Sequence, residues 1–192
     1  MPRYFLFLSI FLLFTPSFGL AADRDGIPHS AKAYQLTVDC RLSLGEMVAR
    51  GHYSAVDTRN ITPKNFPLQC GEANGREIVV EVISFELASD KPEVSGGVVR
   101  KTTPMRTIST EDVLREMARQ NLRPATIEEL LTLGATYPHI HRDGPITALG
   151  SSPVVEGERR VPFIGSHPGR ALLLSWLDGN WGVVFRFLAV RK

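Results

Sequence analysis

Several things are scarce in this chain, and each scarcity removes a class of function. There are only two cysteines in 192 residues, Cys40 and Cys70. Their spacing is far from C-x-x-C, which argues against a redox-active pair. There is no charge excess of one sign: 22 Lys and Arg face 20 Asp and Glu. That balance argues against nucleic acid as a partner, because a polyanion binder needs a basic stripe. Arg159-Arg160 and the tail residues Arg186, Arg191 and Lys192 read as small solvated clusters. Long apolar runs are missing beyond residue 21, so nothing after that point has the about 20 residues needed to cross a bilayer. No phosphate-cradling glycine loop or dinucleotide fingerprint occurs. Ser151-Ser152 lacks the G-x-S-x-G frame of a serine hydrolase. Internal repeats and low-complexity tracts are absent, and no cofactor is implied.

The first 21 residues carry the strongest signal. Arg3 supplies a positive start, Tyr4 to Phe14 are almost unbroken apolar, and Pro16 and Gly19 break the run. Gly19-Leu20-Ala21 puts small residues at the −3 and −1 positions of a cleavage site before Ala22. Basic start, short apolar core and small-residue exit read as a secretory signal peptide, with an uncleaved anchor as the alternative. No cysteine stands at the cleavage site for a lipid anchor. The expected location is therefore secreted or periplasmic, with no membrane span after cleavage. In an oxidising compartment the lone pair Cys40 and Cys70 most simply forms one disulfide. It would close a loop of about 30 residues, worth on the order of 3–4 kcal/mol.

Residues 22–192 suit one domain. Residues 22–33 read as a flexible leader and 34–192 as a single α+β domain, divided at about residue 100. Tyr34 to Val38 alternates apolar and polar, a strand pattern. Leu44, Met47 and Val48 have helical spacing, stopped by Gly51. Tyr53 to Leu68 is loop-like, and its Asn60-Ile61-Thr62 sequon is followed directly by Pro63. Glu77 to Leu87 is the clearest strand, preceded by an Asn74-Gly75 turn, and Val98-Val99 begins another short one. Ser109 is placed to cap a helix carrying Val113, Leu114, Met117 and Ala118, with Ile108 and Val113 as a hydrophobic staple. Leu122 to Thr126 reads as a turn between two helices. Thr126 and Glu129 form a capping box for the second, and Gly134 its C-terminal cap. Strands are expected at Pro145–Leu149, Arg160–Ile164, Ala171–Trp176 and Val183–Val190, with Asp178-Gly179-Asn180 as the turn between the last two.

Two resemblances rest on these stretches. Leu122 to Thr126, Glu129 to Leu131, Tyr137-Pro138, Ala148 to Ser151 and Arg186 to Lys192 resemble the C-terminal series of a group of uncharacterised secreted bacterial proteins. Leu44 to Met47 and Ile61 to Pro67 fit the same group, which implies no known activity. The order from Asp112 to Leu133 and from Phe185 to Arg191 is also similar to the C-type-lectin-like fold and its formylglycine-generating branch. That likeness implies a lectin-like C-terminal half over 101–192. The catalytic cysteine pair of the oxidising branch is missing here. The calcium motifs Glu-Pro-Asn and Trp-Asn-Asp are absent as written.

Two clusters carry candidate chemistry. His139-Ile140-His141-Arg142-Asp143 offers imidazoles and a carboxylate, which suit zinc. On an extended segment residues two apart face one way, and His167 is the further ligand available. The other reading is an exposed polar loop. Trp176-Leu177-Asp178-Gly179-Asn180-Trp181 sets two indoles around a polar turn. Aromatic plates beside Asp178 and Asn180 fit a sugar or peptide, while cross-strand packing of Trp176 on Trp181 is the alternative. Glu111, Asp112, Glu128 and Glu129 start helices and complement the helix dipole. An acid/base role would need two of them to converge in a cleft. The expectation is a mixed or antiparallel α+β domain with two consecutive helices. It serves as a non-catalytic envelope binding protein for an extracellular glycan or protein ligand. A metal-dependent hydrolase at His139, His141 and Asp143, or a structural envelope protein, is the alternative.

Overall fold

The computed structural model describes residues 29–69, 77–87, 107–166, 169–182 and 184–192. The signal segment, Cys70, Asn74-Gly75, Val98-Val99 and His167 lie outside them. Strand β1 (His29–Asp39) begins inside the stretch read as a leader. It points Tyr34, Leu36 and Val38 inward while Ala33, Gln35 and Thr37 face solvent. Strand β3 (Glu77–Leu87), with the bounds expected, pairs with it antiparallel from His29 opposite Leu87 to Asp39 opposite Glu77. The leader reading stopped short because backbone pairing needs no side-chain pattern, and His29 to Ala33 have none. Cys40, just after β1, is buried, and no cysteine among the described residues is a free thiol.

Helix α1 (Leu44–Arg50) starts at Ser43 with a reciprocal cap: the Ser43 hydroxyl accepts the Glu46 N–H, and the Glu46 carboxylate accepts the Ser43 N–H at 2.8 Å. It buries Leu44 and Met47. Strand β2 (Ala55–Val56) follows within the region read as loop, running parallel to β9 (Ala171–Trp176).

Strand β4 (Thr107–Ser109) leads into α2 (Thr110–Arg119). Ser109 is the N-cap, its hydroxyl accepting the Asp112 N–H at 3.1 Å, and Ile108 and Val113 are buried in one cluster. Leu122 to Pro124 is not an interhelical turn. It is strand β5, antiparallel to β11 (Arg186–Arg191). Pro124 fits because a short edge strand leaves its missing N–H unneeded. Helix α3 (Ile127–Thr136) follows, with the Glu129 carboxylate accepting the Thr126 N–H at 2.8 Å.

Gly134 does not cap α3; the helix runs through it to Thr136. A glycine inside a helix costs about 1 kcal/mol against alanine, yet a Cβ here would lie 2.5 Å from the Tyr53 hydroxyl and 2.7 Å from Ile164 Cδ1. Close packing, not chain reversal, is what this glycine serves. Arg170 completes the contact. It donates to the carbonyls of Gly51 and Gly134 and lays its guanidinium 4.6 Å from the centre of the Tyr53 ring.

The Tyr53 hydroxyl has no hydrogen-bond partner there. Burial pushes its pKa up to about 12, against the opposing charge of Arg170. The folded chain therefore holds a proton that the unfolded chain releases near pH 10. Stability is whole below that pH and falls as pH rises through the window up to about 12, by about 2.7 kcal/mol when complete. Tyr53→Phe is expected to flatten that decline and to leave neutral-pH stability unchanged or higher. Urea midpoints for both proteins from pH 9 to 12 check it, and parallel curves would refute the assignment.

The main sheet runs in the order β1-β3-β11-β6-β8-β9-β2, with β6 (Ile146–Thr147) and β8 (Glu158–Gly165) inside it. The β11–β6 and β2–β9 pairs are parallel and the remaining pairs antiparallel, so the sheet is mixed and the class is α+β. Strand β7 (Val154–Val155) folds back on β8, and β5 extends β11. Strand β11 shows how the layers form. Leu188 and Val190 face one cluster with α1 and α3, while Phe187 and Ala189 face another with α2. A strand buried on both faces must be apolar at every step, as Phe187-Leu188-Ala189-Val190 is. The last expected strand, Val183–Val190, is β11 (Arg186–Arg191), starting later; an unexpected strand β10 (Asn180–Gly182) begins in the expected turn and pairs with β4 outside the main sheet.

Candidate ligand-binding site

The turn after β9 separates its two indoles. Trp181 is 3% exposed. Its ring meets Phe185 and Phe187 edge-on at 5.0 and 5.6 Å, and its N–H donates to Thr110 Oγ1 at 2.8 Å. Thr110 in turn donates to the Leu177 carbonyl. Trp181 is therefore core, placed there because β10 crosses to β4 rather than returning along β9. The two tryptophans are neither a joint platform nor a cross-strand pair.

Trp176 is 56% exposed. It is nevertheless held: the Arg160 guanidinium sits 4.3 Å from its ring centre, the Glu158 carboxylate accepts its N–H, and Arg160 pairs with Glu158 at 2.9 Å. Register explains this, since Arg160 lies opposite Trp176 in the β8–β9 ladder. Beside the indole is a depression of about 380 Å³ walled by Gly157, Glu158, Arg159, Trp176, Asp178 and Gly179. Asp178 is exposed in that wall; Asn180 is exposed on β10 and does not line it.

The histidine segment is not extended. Ile140 to Asp143 form a 3-10 turn, so residues two apart no longer face one way. His139 and Asp143 are exposed, while His141 turns inward with its Nδ1 buried and unpartnered. Burial first, then the Arg170 charge, holds the His141 pKa below its ordinary value, so its imidazole stays neutral where a free one would protonate. Among the described residues no group of three His, Cys, Asp or Glu is disposed to hold a metal. A zinc centre on His139, His141 and Asp143 is thus not formed by this backbone. The segment instead rims a second pocket of about 380 Å³ between β1 and the end of α3.

Two helix-start acids do converge. Glu128 and Glu129 are 2% and 3% exposed and share the wall of a third cleft with Arg123 and Gln69. Both Glu129 oxygens are engaged by Arg123, at 2.6 and 3.0 Å, and one also caps Thr126. Glu128 accepts the Gln69 N–H with one oxygen, and its other oxygen is buried without a partner. Glu111 and Asp112 stay on the surface, paired with Arg115. Ser151 is a tertiary cap, its hydroxyl accepting the Ile127 N–H at 2.9 Å, and Ser152 accepts from Arg159. Neither serine stands beside a base.

Comparison with protein-family models, with curated proteins and with solved structures found no match. No helix of the described residues is long and apolar enough to cross a membrane. Glu158 carries no motif, and Arg160, Tyr34, Tyr137 and Arg142 stand in the sequence only as a basic pair, a strand position, part of a resemblance series and a member of the histidine segment. Only the pairing of β8 with β9, and of β1 against α3, brings them to these places.

Proposed function

We propose that this chain is an exported, non-catalytic binding protein that takes a glycan or peptide ligand at the cell envelope. The observation that carries the reading is Trp176. An exposed indole normally gives up side-chain freedom on binding, but Arg160 and Glu158 already hold this one in place. A pre-set aromatic face next to a depression containing Glu158, Arg159 and Asp178 supplies stacking area with directional donors and acceptors. The signal-like first 21 residues and the pattern likeness of residues 101–192 to lectin-like domains support the same reading. A disulfide between Cys40 and Cys70 belongs to it, as an oxidising compartment would form one.

The test is a glycan and peptide array probed with the wild type and with Trp176→Ala. The variant is expected to keep its fold, within about 2 kcal/mol, since the indole is itself mostly exposed and a partly desolvated cation–π contact contributes about that much. It is expected to lose the signal the wild type gives. Undiminished binding by the folded variant would remove Trp176 from the site.

A further inference from the structure

We propose a second binding site, in the pocket between β1, the end of α3 and the 3-10 turn, for a sugar ring that bears a carboxylate. The site is separate from Trp176 and does not depend on the reading given above.

Its walls come from three places in the chain that alternate strand, helix end and turn. Tyr34 stands on β1 and Tyr137 just past the last turn of α3, with ring centres 4.9 Å apart and planes at 61°. Tyr34 is buried, and Tyr137 remains 36% exposed. The Tyr137 N–H closes α3 on the Leu133 carbonyl at 2.8 Å, and the Tyr137 carbonyl accepts the Ile140 N–H at 3.0 Å, so the backbone on both sides of this ring is fixed. Lys32, Arg142 and Asp143 complete the rim, with buried Ile140 beneath.

The charges on that rim are the informative part. Neither Lys32 nor Arg142 has an acidic partner among the described residues, whereas Arg115, Arg119, Arg123 and Arg160 each have one. The Lys32 ammonium lies 5.3 Å from the Tyr34 ring centre, a cation–π contact that accounts for its position without a ligand. That contact does not account for Arg142, exposed on the same rim, or for the part of Tyr137 that stays exposed. With Asp143 the rim carries two positive charges and one negative. A guanidinium matches a carboxylate through two parallel N–H donors. Asp143 accepts from hydroxyl groups, and the exposed part of the Tyr137 ring offers an apolar surface to the C–H side of a pyranose. One molecule satisfying all three is a uronate-type sugar. An acidic peptide would answer the cations but leave Asp143 facing like charge. A volume of about 380 Å³ falls within the roughly 300–1,000 Å³ of small-ligand pockets, enough for one end of a saccharide.

The experiment titrates the full chain with a galacturonate tetrasaccharide, a neutral maltotetraose and an oligoaspartate peptide, following intrinsic fluorescence and heat. The uronate is expected to bind, and the neutral sugar and the peptide to bind at least tenfold more weakly or not at all. Arg142→Gln, at an exposed position, and Tyr137→Ala are each expected to weaken uronate binding by roughly tenfold; the first leaves the melting temperature unchanged, and the second lowers it modestly through the lost contact with Tyr34. Trp176→Ala is expected to leave it unchanged, which separates this site from the one proposed above. Equal binding of the neutral sugar, tighter binding of the peptide, no binding of the uronate, or retention of uronate affinity in both rim variants would each overturn the assignment.

Discussion

Trp181→Ala is expected to destabilise the fold by about 3–5 kcal/mol, the range for removing a large aromatic side chain from a core. Two losses combine. The indole is 3% exposed and forms edge-on contacts with Phe185 and Phe187, so its removal opens a cavity under α2. The Thr110 hydroxyl also loses the indole N–H, although its own proton still reaches the Leu177 carbonyl. The same change at Trp176, five positions earlier on the other side of the turn, removes a mostly exposed indole and touches only the half-buried Arg160 and one carboxylate. The pair therefore forms an internal control: equilibrium denaturation of both variants should separate them by several kcal/mol. Comparable losses would mean that the two indoles share one environment, against the geometry. Because most domains have only about 5–15 kcal/mol to lose, Trp181→Ala is also expected to express poorly, and binding data on it would say nothing about a site.

That contrast marks where the sequence was legible and where it was not. Local signals reported faithfully. Ser109 and Thr126 with Glu129 cap helices as their spacing implies, β3 has the bounds its alternation predicted, and β9 spans Ala171 to Trp176. What local pattern could not show was pairing. Leu122-Arg123-Pro124 has every mark of a turn, and only the presence of β11 alongside makes it a strand. Gly134 sits where a helix could end, and only Tyr53 and Ile164, both distant in sequence, make it an interior packing position. Trp176 and Trp181 flank one turn, and only β4 decides that the second is drawn into the core. The residues that fix or line the proposed sites, Arg160, Tyr34 and Arg142, were illegible for the same reason: their meaning is set by strand register and by the end of a helix, not by their neighbours in the chain.

Arg186→Met is expected to destabilise by about 2–4 kcal/mol, with the damage concentrated at the 3-10 turn. Arg186 opens β11 and is 3% exposed. Its guanidinium has no acidic partner among the described residues. It is satisfied by main-chain carbonyls, donating to Ile140 and, at 2.7 Å, to Gly144. Those two carbonyls bracket the turn, so one side chain ties the segment from Ile140 to Gly144 to the centre of the sheet. The turn needs the tie. Gly144 sits at φ +119°, where only glycine is relaxed, and a Cβ there would meet the Val184 carbonyl at 2.5 Å. Two effects oppose each other in the variant. Methionine fills much of the volume and removes the penalty of burying an unpaired charge, which favours it. It also leaves two carbonyls without donors, each costing about 1–3 kcal/mol if they stay buried. Both bonds come from Nη2, while Nε is buried without a partner; the loss of the donor to two carbonyls is expected to outweigh the relief of that one nitrogen. Hydrogen exchange distinguishes the outcomes. Faster exchange at the Arg142 and Gly144 amides, with β8 and β9 unaffected, is the expected pattern. A variant as stable as the wild type with those amides still protected would show that the turn holds itself, and that the buried guanidinium serves something other than this tie.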